Sequence, residues 1–336
     1  MATPSSGQIS ATNISDEFGR NLAGNQMSLG GYRLSQTVGS LSFNGIDSGV
    51  PSSGEIKFSD FYNKRLNVVV DCYSGGTETR ANARSKYNGN QVNVVGGFRG
   101  KPSNPSGIKV IVNVNKSFQS VKDNNQNVVA LRTGEYGSNC LLRVDVGGSG
   151  YIGGAGGNGG NGNSGNGSPG QNGNSGLGID HESSDGTTVI SNSGTISAGF
   201  GGGGGGGGAF DYDKNSSRSA GGGGGGGGAG FPAGSGGSAT GSGGNNGSNG
   251  GLNSGGAGGS GRNNDNEAVA GAGGNGGSNG SGAQNGGEGN GGEGSESEGG
   301  SAGGNGAAIR RESGGITISV VNNGTIRGST SATGVA

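Results

Sequence analysis

Two uninterrupted runs of eight glycines, at 201–208 and 221–228, limit what this chain can fold into more than any other feature. A glycine has no side chain to bury, so a segment made of it has no hydrophobic driving force of its own. The two runs lie in a wider glycine-rich region. Of 91 glycines in 336 residues, 18 fall in 1–146 and 73 in 147–336. Over 147–336, Val, Ile, Leu, Met, Phe and Tyr together fill 20 of 190 positions, and 197–308 holds six of them. A buried large side chain contributes roughly 1.5–3 kcal/mol, against an ordering cost of about 1–2 kcal/mol per residue. A hydrophobic core is therefore excluded there, which leaves a flexible linker or a fold held by backbone hydrogen bonds.

The glycine runs are flanked by tracts of period three. Gly153-Gly154-Ala155-Gly156-Gly157-Asn158-Gly159-Gly160-Asn161 is strict, and similar tracts recur near 255–261, 271–278, 286–294 and 299–306. With only 6 prolines the chain is not collagen, and the Asp and large apolar positions of calcium-binding nonapeptide repeats are missing. Three residues per turn is the period of the polyproline II helix, which glycine also adopts and which has no internal hydrogen bonds. An ordered version must satisfy every N–H and C=O on a neighbouring helix, and bare edges permit that approach. The tracts are thus expected to form a bundle of packed polyglycine II helices. The two pure runs would be interior, with Ala, Asn or Ser of the Gly-Gly-x tracts pointing outward. A Gly/Ser linker is the ordinary meaning of such composition. Against it stand the similar tract lengths and interruptions rich in aromatic and charged residues.

The rest divides into two parts. Residues 1–65 carry an internal repeat, Pro4-Ser5-Ser6-Gly7-Gln8-Ile9-Ser10 returning as Pro51-Ser52-Ser53-Gly54-Glu55-Ile56-Lys57. A short helical candidate follows each copy, with Ser and Asp placed to cap its first turn. These units read as docking segments that order against a partner, with Ile9, Ile14, Phe18, Ile56, Phe58, Phe61 and Tyr62 as candidate attachment residues. Residues 66–146 hold β-branched runs bounded by Gly, Asn and Pro, such as Val68-Val69-Val70-Asp71-Cys72 and Ile108-Lys109-Val110-Ile111-Val112, and read as a small antiparallel β domain. Cys72 and Cys140 are expected as reduced, buried thiols. The third part, 147–336, is the glycine region. Thr188-Val189-Ile190-Ser191-Asn192-Ser193-Gly194-Thr195-Ile196 and its echo Thr317–Ile326 read as two hairpins that clamp it, their glycines at positive φ.

Little in the chain supports catalysis. The only histidine, His181, lies in the polar stretch Asp180-His181-Glu182-Ser183-Ser184-Asp185 and reads as a solvated loop residue. No Cys/His cluster has metal-ligand spacing and no phosphate-binding GxxxxGK[ST] exists. Asp211-Tyr212-Asp213-Lys214-Asn215 imitates half of a calcium loop without its Gly and distal Glu in register. Glu288, Glu293, Glu296 and Glu298 read as a solvated acidic face. No cofactor or metal is expected. Residues 1–146 carry 15 Lys/Arg against 10 Asp/Glu and the remainder 6 against 12. Without a basic, aromatic-interleaved stripe this does not indicate nucleic-acid binding. The start Met1–Gly7 lacks the basic and apolar regions of a signal peptide, and no run of 18 apolar residues exists, so cytoplasmic synthesis without membrane insertion is expected.

The informative residues lie between tracts. Phe210, Asp211, Tyr212, Asp213, Lys214, Asn215 and Arg218 join the two pure runs and mix aromatics with both charge signs, as recognition loops on rigid scaffolds do. Asn263, Asn264, Asp265 and Glu267 form a smaller candidate of the same kind. So do the stretch 174–185 and Phe231-Pro232. In its glycine tracts and their interruptions over 147–314, and in Asn322-Asn323-Gly324-Thr325-Ile326, the sequence resembles the tail-fibre adhesins of T-even-like bacteriophages. The opening repeats, ending in Ser59-Asp60-Phe61-Tyr62, look like segments of virion structural proteins from other tailed phages. The resemblance implies a non-enzymatic virion protein, made in the host cytoplasm and acting at the host cell surface. Its N-terminal part would attach to tail or fibre proteins, and its loops between tracts would bind a host outer-membrane protein or surface glycan. The alternatives from residues alone are a purely structural tail, neck or fibre spacer, or a cell-surface glycine-rich protein.

Overall fold

The computed structural model describes residues 3–19, 28–47, 49–213, 216–240, 243–264, 268–291 and 296–336. It is mostly strand and extended chain, and its conventional core is a three-faced parallel β-solenoid. The first face stacks Asn67–Cys72, Lys109–Val114, Leu141–Val146, Thr188–Asn192 and Ile318–Asn322 in parallel register. The second stacks Glu78–Thr79, Ser117–Gln119, Tyr151–Gly153, Thr195–Ser197 and Thr325–Arg327. The third stacks Ala81–Asn82, Val129–Arg132, Ser175–Ile179, Ile309–Arg311 and Ala332–Thr333. The chain visits the faces in turn, which makes five coils among the described residues.

This corrects the antiparallel β domain expected at 66–146. Parallel neighbours usually require a long crossover, and here two further strands provide it. Among the described residues the only antiparallel pairing in the solenoid sheets is Val92–Asn93 against Val69 and Val70. The boundary expected at 146/147 also falls inside a coil, because Leu141–Val146 and Tyr151–Gly153 are its consecutive strands. Side chains alternate in and out along each strand. Val68, Val70, Val110, Val112, Val144 and Ile190 therefore point inward from the first face to meet Phe118, Ile152 and Ile196 from the second and Leu131, Leu177 and Ile309 from the third. Cys72 and Cys140 are free thiols in this core, and burial pushes both up to about 12.

The two segments expected as clamping hairpins are instead corners of successive coils. Thr188–Asn192 pairs in parallel with Ile318–Asn322, and Asn192 donates from Nδ2 to Asn322 Oδ1 at 2.7 Å. Neither Gly194 nor Gly324 is at positive φ. Glycine is needed for close approach, since a Cβ on Gly324 would lie under 3.0 Å from the Gly194 carbonyl oxygen.

The described residues of 3–65 pack on the solenoid. The helix Ala11–Phe18 starts at a capping box, with Asn13 N–H donating to Ser10 Oγ (3.2 Å) and Ser10 N–H to Asn13 Oδ1 (2.9 Å). Ile14 and Phe18 from this helix, Tyr32, and Phe61 from the 3-10 turn Phe58–Phe61 are fully or almost fully buried and belong to the solenoid's own core. Tyr32 packs edge-on against Phe18, Phe61 and Phe98. A hairpin, Ser35–Val38 with Leu41–Asn44, covers the outer side of the first face through Val38 and Phe43 against Val69 and Ile111.

Candidate functional site

The glycine tracts grow out of the solenoid where its second face should turn into its third. Coil three leaves at Gly153 and returns at Ser175, and coil four leaves at Ser197 and returns at Ile309. Between these points the chain runs to and fro in tracts that are neither helix nor ladder-paired strand. Every third N–H of a tract goes to the same neighbour. Gly157, Gly160 and Asn163 donate to the carbonyls of Phe200, Gly203 and Gly206, while Gly202, Gly205 and Gly208 donate to those of Gln171, Ser168 and Gly165.

Both pure runs are buried throughout and contact neighbours on all sides. Run 201–208 and its flanking residues donate to the tracts around 168, 226 and 287, and accept from those around 160, 274 and 303. Run 221–228 does the same with the tracts around 160, 274 and 248 as acceptors and those around 203, 237 and 256 as donors. A Cβ at Gly204, Gly205, Gly225 or Gly226 would lie under 3.0 Å from a neighbouring carbonyl oxygen, so the interior admits only glycine.

Asparagine has a role at the perimeter that its position in Gly-Gly-Asn did not disclose. Where a tract lacks an outer neighbour, a side-chain carbonyl replaces it. Asn158 and Asn161 Oδ1 accept from the N–H groups of Ser235 and Ser238, both at 2.9 Å. Asn249, Asn275 and Asn285 do the same for Gly236, Gly258 and Ala302. The signal was the spacing of three between Asn158 and Asn161, which sets two amides on one edge.

Because the tracts alternate in direction, their connections fall into two groups. Those at 231–233, 251–254 and 278–281 lie beside the solenoid, where Phe231 packs edge-on against Tyr151 at 5.2 Å. The described residues of the others, 163–166, 209–213 with 216–220, 240 with 243, 263–264 with 268–269, and 290–291 with 296, fall at the far end. Ala209–Asp213 pairs antiparallel with Ser216–Ala220, setting Phe210 opposite Ser219 and Asp211 opposite Arg218. Asn263–Asn264, Ala268–Val269 and Asn290–Gly291 form a small antiparallel sheet against this hairpin, over buried Ala209, Ala220, Ala268 and Ala270. A Cβ on Gly291 would collide with the Phe210 carbonyl.

Two separately chosen sequence segments are thus brought together, and a third, at 290–291, joins them unforeseen. Phe210 is half-buried, Asp211 buried, Asn263 exposed, Asn264 half-buried and Val269 exposed. Lys214, Asn215, Asp265 and Glu267 lie outside the described residues, as does Glu293 of the acidic stretch; Tyr212, Asp213 and Arg218 are placed by strand register alone.

Other candidates are structural. The stretch 174–185 contains the buried strand Ser175–Ile179, and Asp180 accepts from Arg132 Nη2 (2.6 Å) and the Gly134 N–H (2.7 Å). His181 is not solvated but 2% exposed, with Nδ1 3.1 Å from Glu135 Oε2 and Nε2 3.2 Å from the Cys140 carbonyl. The polar letters around it hid this, because Asp180, His181 and Ser183 find their partners in another segment, at Arg132, Glu135 and the Leu142 N–H. Of the attachment candidates, Ile14, Phe18 and Phe61 serve the internal core, Ile9, Ile56 and Tyr62 are half-buried, and Phe58 is 44% exposed. Tyr62 OH donates to the Gly7 carbonyl, tying the second repeat to the first. Among the described residues no group of three or more His, Cys, Asp or Glu is placed to hold a metal ion, and no helix is long and apolar enough to cross a membrane.

The solenoid thus carries a bundle of glycine tracts with connections at both ends, the longest of them at the far end. The phage tail fibre adhesin Gp38 family matches residues 77–331, and the chain belongs to that family of virion tail-fibre proteins. No curated protein matches. Among solved structures, the gp37-gp38 adhesin tip complex of the bacteriophage S16 long tail fiber is similar at 20% identity, covering 84% of this chain and 89% of that one with a TM-score of 0.34.

Proposed function

We propose that this adhesin binds a host outer-membrane protein or surface glycan through the loops at the far end of its glycine bundle, and attaches to other tail or fibre proteins through its N-terminal part. The observation that carries the reading is that Phe210–Asp213, 216–218 and Asn263–Asn264, parts of the two longest polar interruptions, share one end, remote from the solenoid. The bundle's three-residue hydrogen-bond period supports its description as packed polyglycine II helices. Loops on such a frame lose little conformational entropy on binding. The role asked of the protein is positioning and contact, not chemistry. For attachment the accessible residues are Phe58, Ile9 and Ile56, while Ile14, Phe18 and Phe61 would hold the platform beneath them.

Binding of the full chain to host cells, beside a variant with Ser and Gly throughout 210–218, tests the reading. Loss of binding with an unchanged melting profile is expected. Equal binding by both proteins would remove the loop assignment, and no binding by either would favour a spacer.

A further inference from the structure

We propose that the outer side of the solenoid's first face carries a second binding site, independent of the far-end loops, for the ring of a neutral sugar. The site is a cleft of about 270 Å³ between the hairpin tip at Ser40 and Leu41 and three stacked coils. Its floor is one rung of the ladder. Asn113, Asp145 and Ser191 lie in register on adjacent strands and point outward together, about 4.8 Å apart. The corner residues Gly147 and Gly148, with Ser193, form the rim.

Asp145 marks the cleft as more than a surface fold. It is 8% exposed, and Arg143 places both Nε (2.9 Å) and Nη2 (2.6 Å) on Oδ1 alone. Oδ2 is buried and has no hydrogen-bond partner. A carboxylate oxygen left this way is costly, and a donor entering the cleft would relieve it. The side chains around it are of one kind. The hydroxyls of Ser40, Ser191 and Ser193 both donate and accept. Asn113 commits its Nδ2 to the Val38 carbonyl at 2.9 Å and has its Oδ1 to offer.

This chemistry selects among ligands. An anion would face the Asp145 carboxylate. A divalent cation requires several oxygen ligands with matching negative charge, and here a single carboxylate is already shared with a guanidinium. A ring with vicinal hydroxyls supplies donors for Asp145 Oδ2 and Asn113 Oδ1, acceptors for the serines, and a C–H face for Leu41. The volume suits one ring rather than an extended chain, since pockets for drug-sized ligands start near 300 Å³. Burial raises the Asp145 carboxyl above the usual range, so binding to its ionised form should weaken as the solution is acidified.

The test uses the full-length protein and saturation-transfer NMR with the methyl glycosides of glucose, galactose, mannose and N-acetylglucosamine, and with an oligosaccharide released from host surface polysaccharide. At least one glycoside is expected to receive saturation. Asp145→Asn should weaken it at least tenfold, and Ser191→Leu, which fills the cleft, should abolish it. Ser191→Leu is expected to fold, because Val321 occupies the same rung on the next coil. The variant with Ser and Gly throughout 210–218 should bind as the parent does, which separates this site from the far-end reading. Transfer to the oligosaccharide but to no simple glycoside would still support the site if Ser191→Leu removed it. No transfer to any probe, transfer that survives both substitutions, or transfer lost in the 210–218 variant instead would overturn the proposal.

Discussion

The solenoid and the glycine bundle meet one requirement, a dry interior with every peptide group paired, in opposite ways. In the solenoid the coils supply backbone partners only along the stack, and the three faces are held apart by the side chains that fill the space between them. Phe118, Ile152, Ile196 and Ile326 form one continuous inward row through four coils. In the bundle each tract is the filling of the next. Run 201–208 shares hydrogen bonds with tracts on every side and leaves no room for a methyl group. The first interior tolerates exchange of one apolar side chain for another of similar volume. The second tolerates no side chain at all. Main chain can thus replace oil as protein interior, at the cost of almost complete sequence constraint inside and near freedom at the connections.

Substitutions should separate the two interiors. The largest effect is expected for Gly205→Val, whose Cβ would meet the Asn161 carbonyl. A loss beyond roughly 4 kcal/mol, the exceptional end for a single change, should appear in a denaturant melt together with rapid proteolysis within 154–306. Gly282→Ala is its control, since nothing lies within 4 Å of a Cβ there, and it should leave the melt unchanged. Next comes Ile152→Ala in the solenoid row, a cavity expected to cost about 2–5 kcal/mol, with a shift in melting temperature but no selective cleavage of the glycine region. The smallest is Asn158→Ala at the perimeter. Deleting its two side-chain hydrogen bonds, from the Ser235 N–H and to Gln171 Oε1, should cost about 1 kcal/mol at this exposed edge, read as faster amide exchange at Ser235 with the interior runs unaltered. If Asn158→Ala matched Gly205→Val in effect, the distinction between interior and perimeter would fail.

Much of the bundle was legible because period three and the absence of side chains leave few ways to pair peptide groups. The solenoid was not. Its coils recur after unequal intervals, since the turn from the second face to the third carries insertions of different length, the longest being the glycine region itself. The shared rung was visible only in pieces: Val70-Asp71, Val112-Asn113, Val144-Asp145, Ile190-Ser191 and Val320-Val321 occupy equivalent positions, yet only the last two coils were recognised as copies, through Asn192-Ser193-Gly194 and Asn322-Asn323-Gly324. Short β-branched runs between turn residues suit hairpins equally well, and nothing local distinguishes the two. The opening repeats misled for another reason. Ile14, Phe18 and Phe61 announce burial, but a sequence does not say whether the covering surface belongs to the same chain. At the far end the two segments are visible in the sequence as separate interruptions, and their meeting with Asn290–Gly291 depends on tract direction, which no residue encodes.

Amide hydrogen exchange of the intact protein at 201–208 and 221–228, measured beside Lys109–Val114, tests the account most directly. Protection of both glycine runs comparable to that of the solenoid strand is expected, because the N–H groups of 202–208 and 222–228 all donate to carbonyls of neighbouring tracts. Exchange of either run at the rate of an unstructured glycine chain would contradict a main-chain interior and leave the loops without their frame.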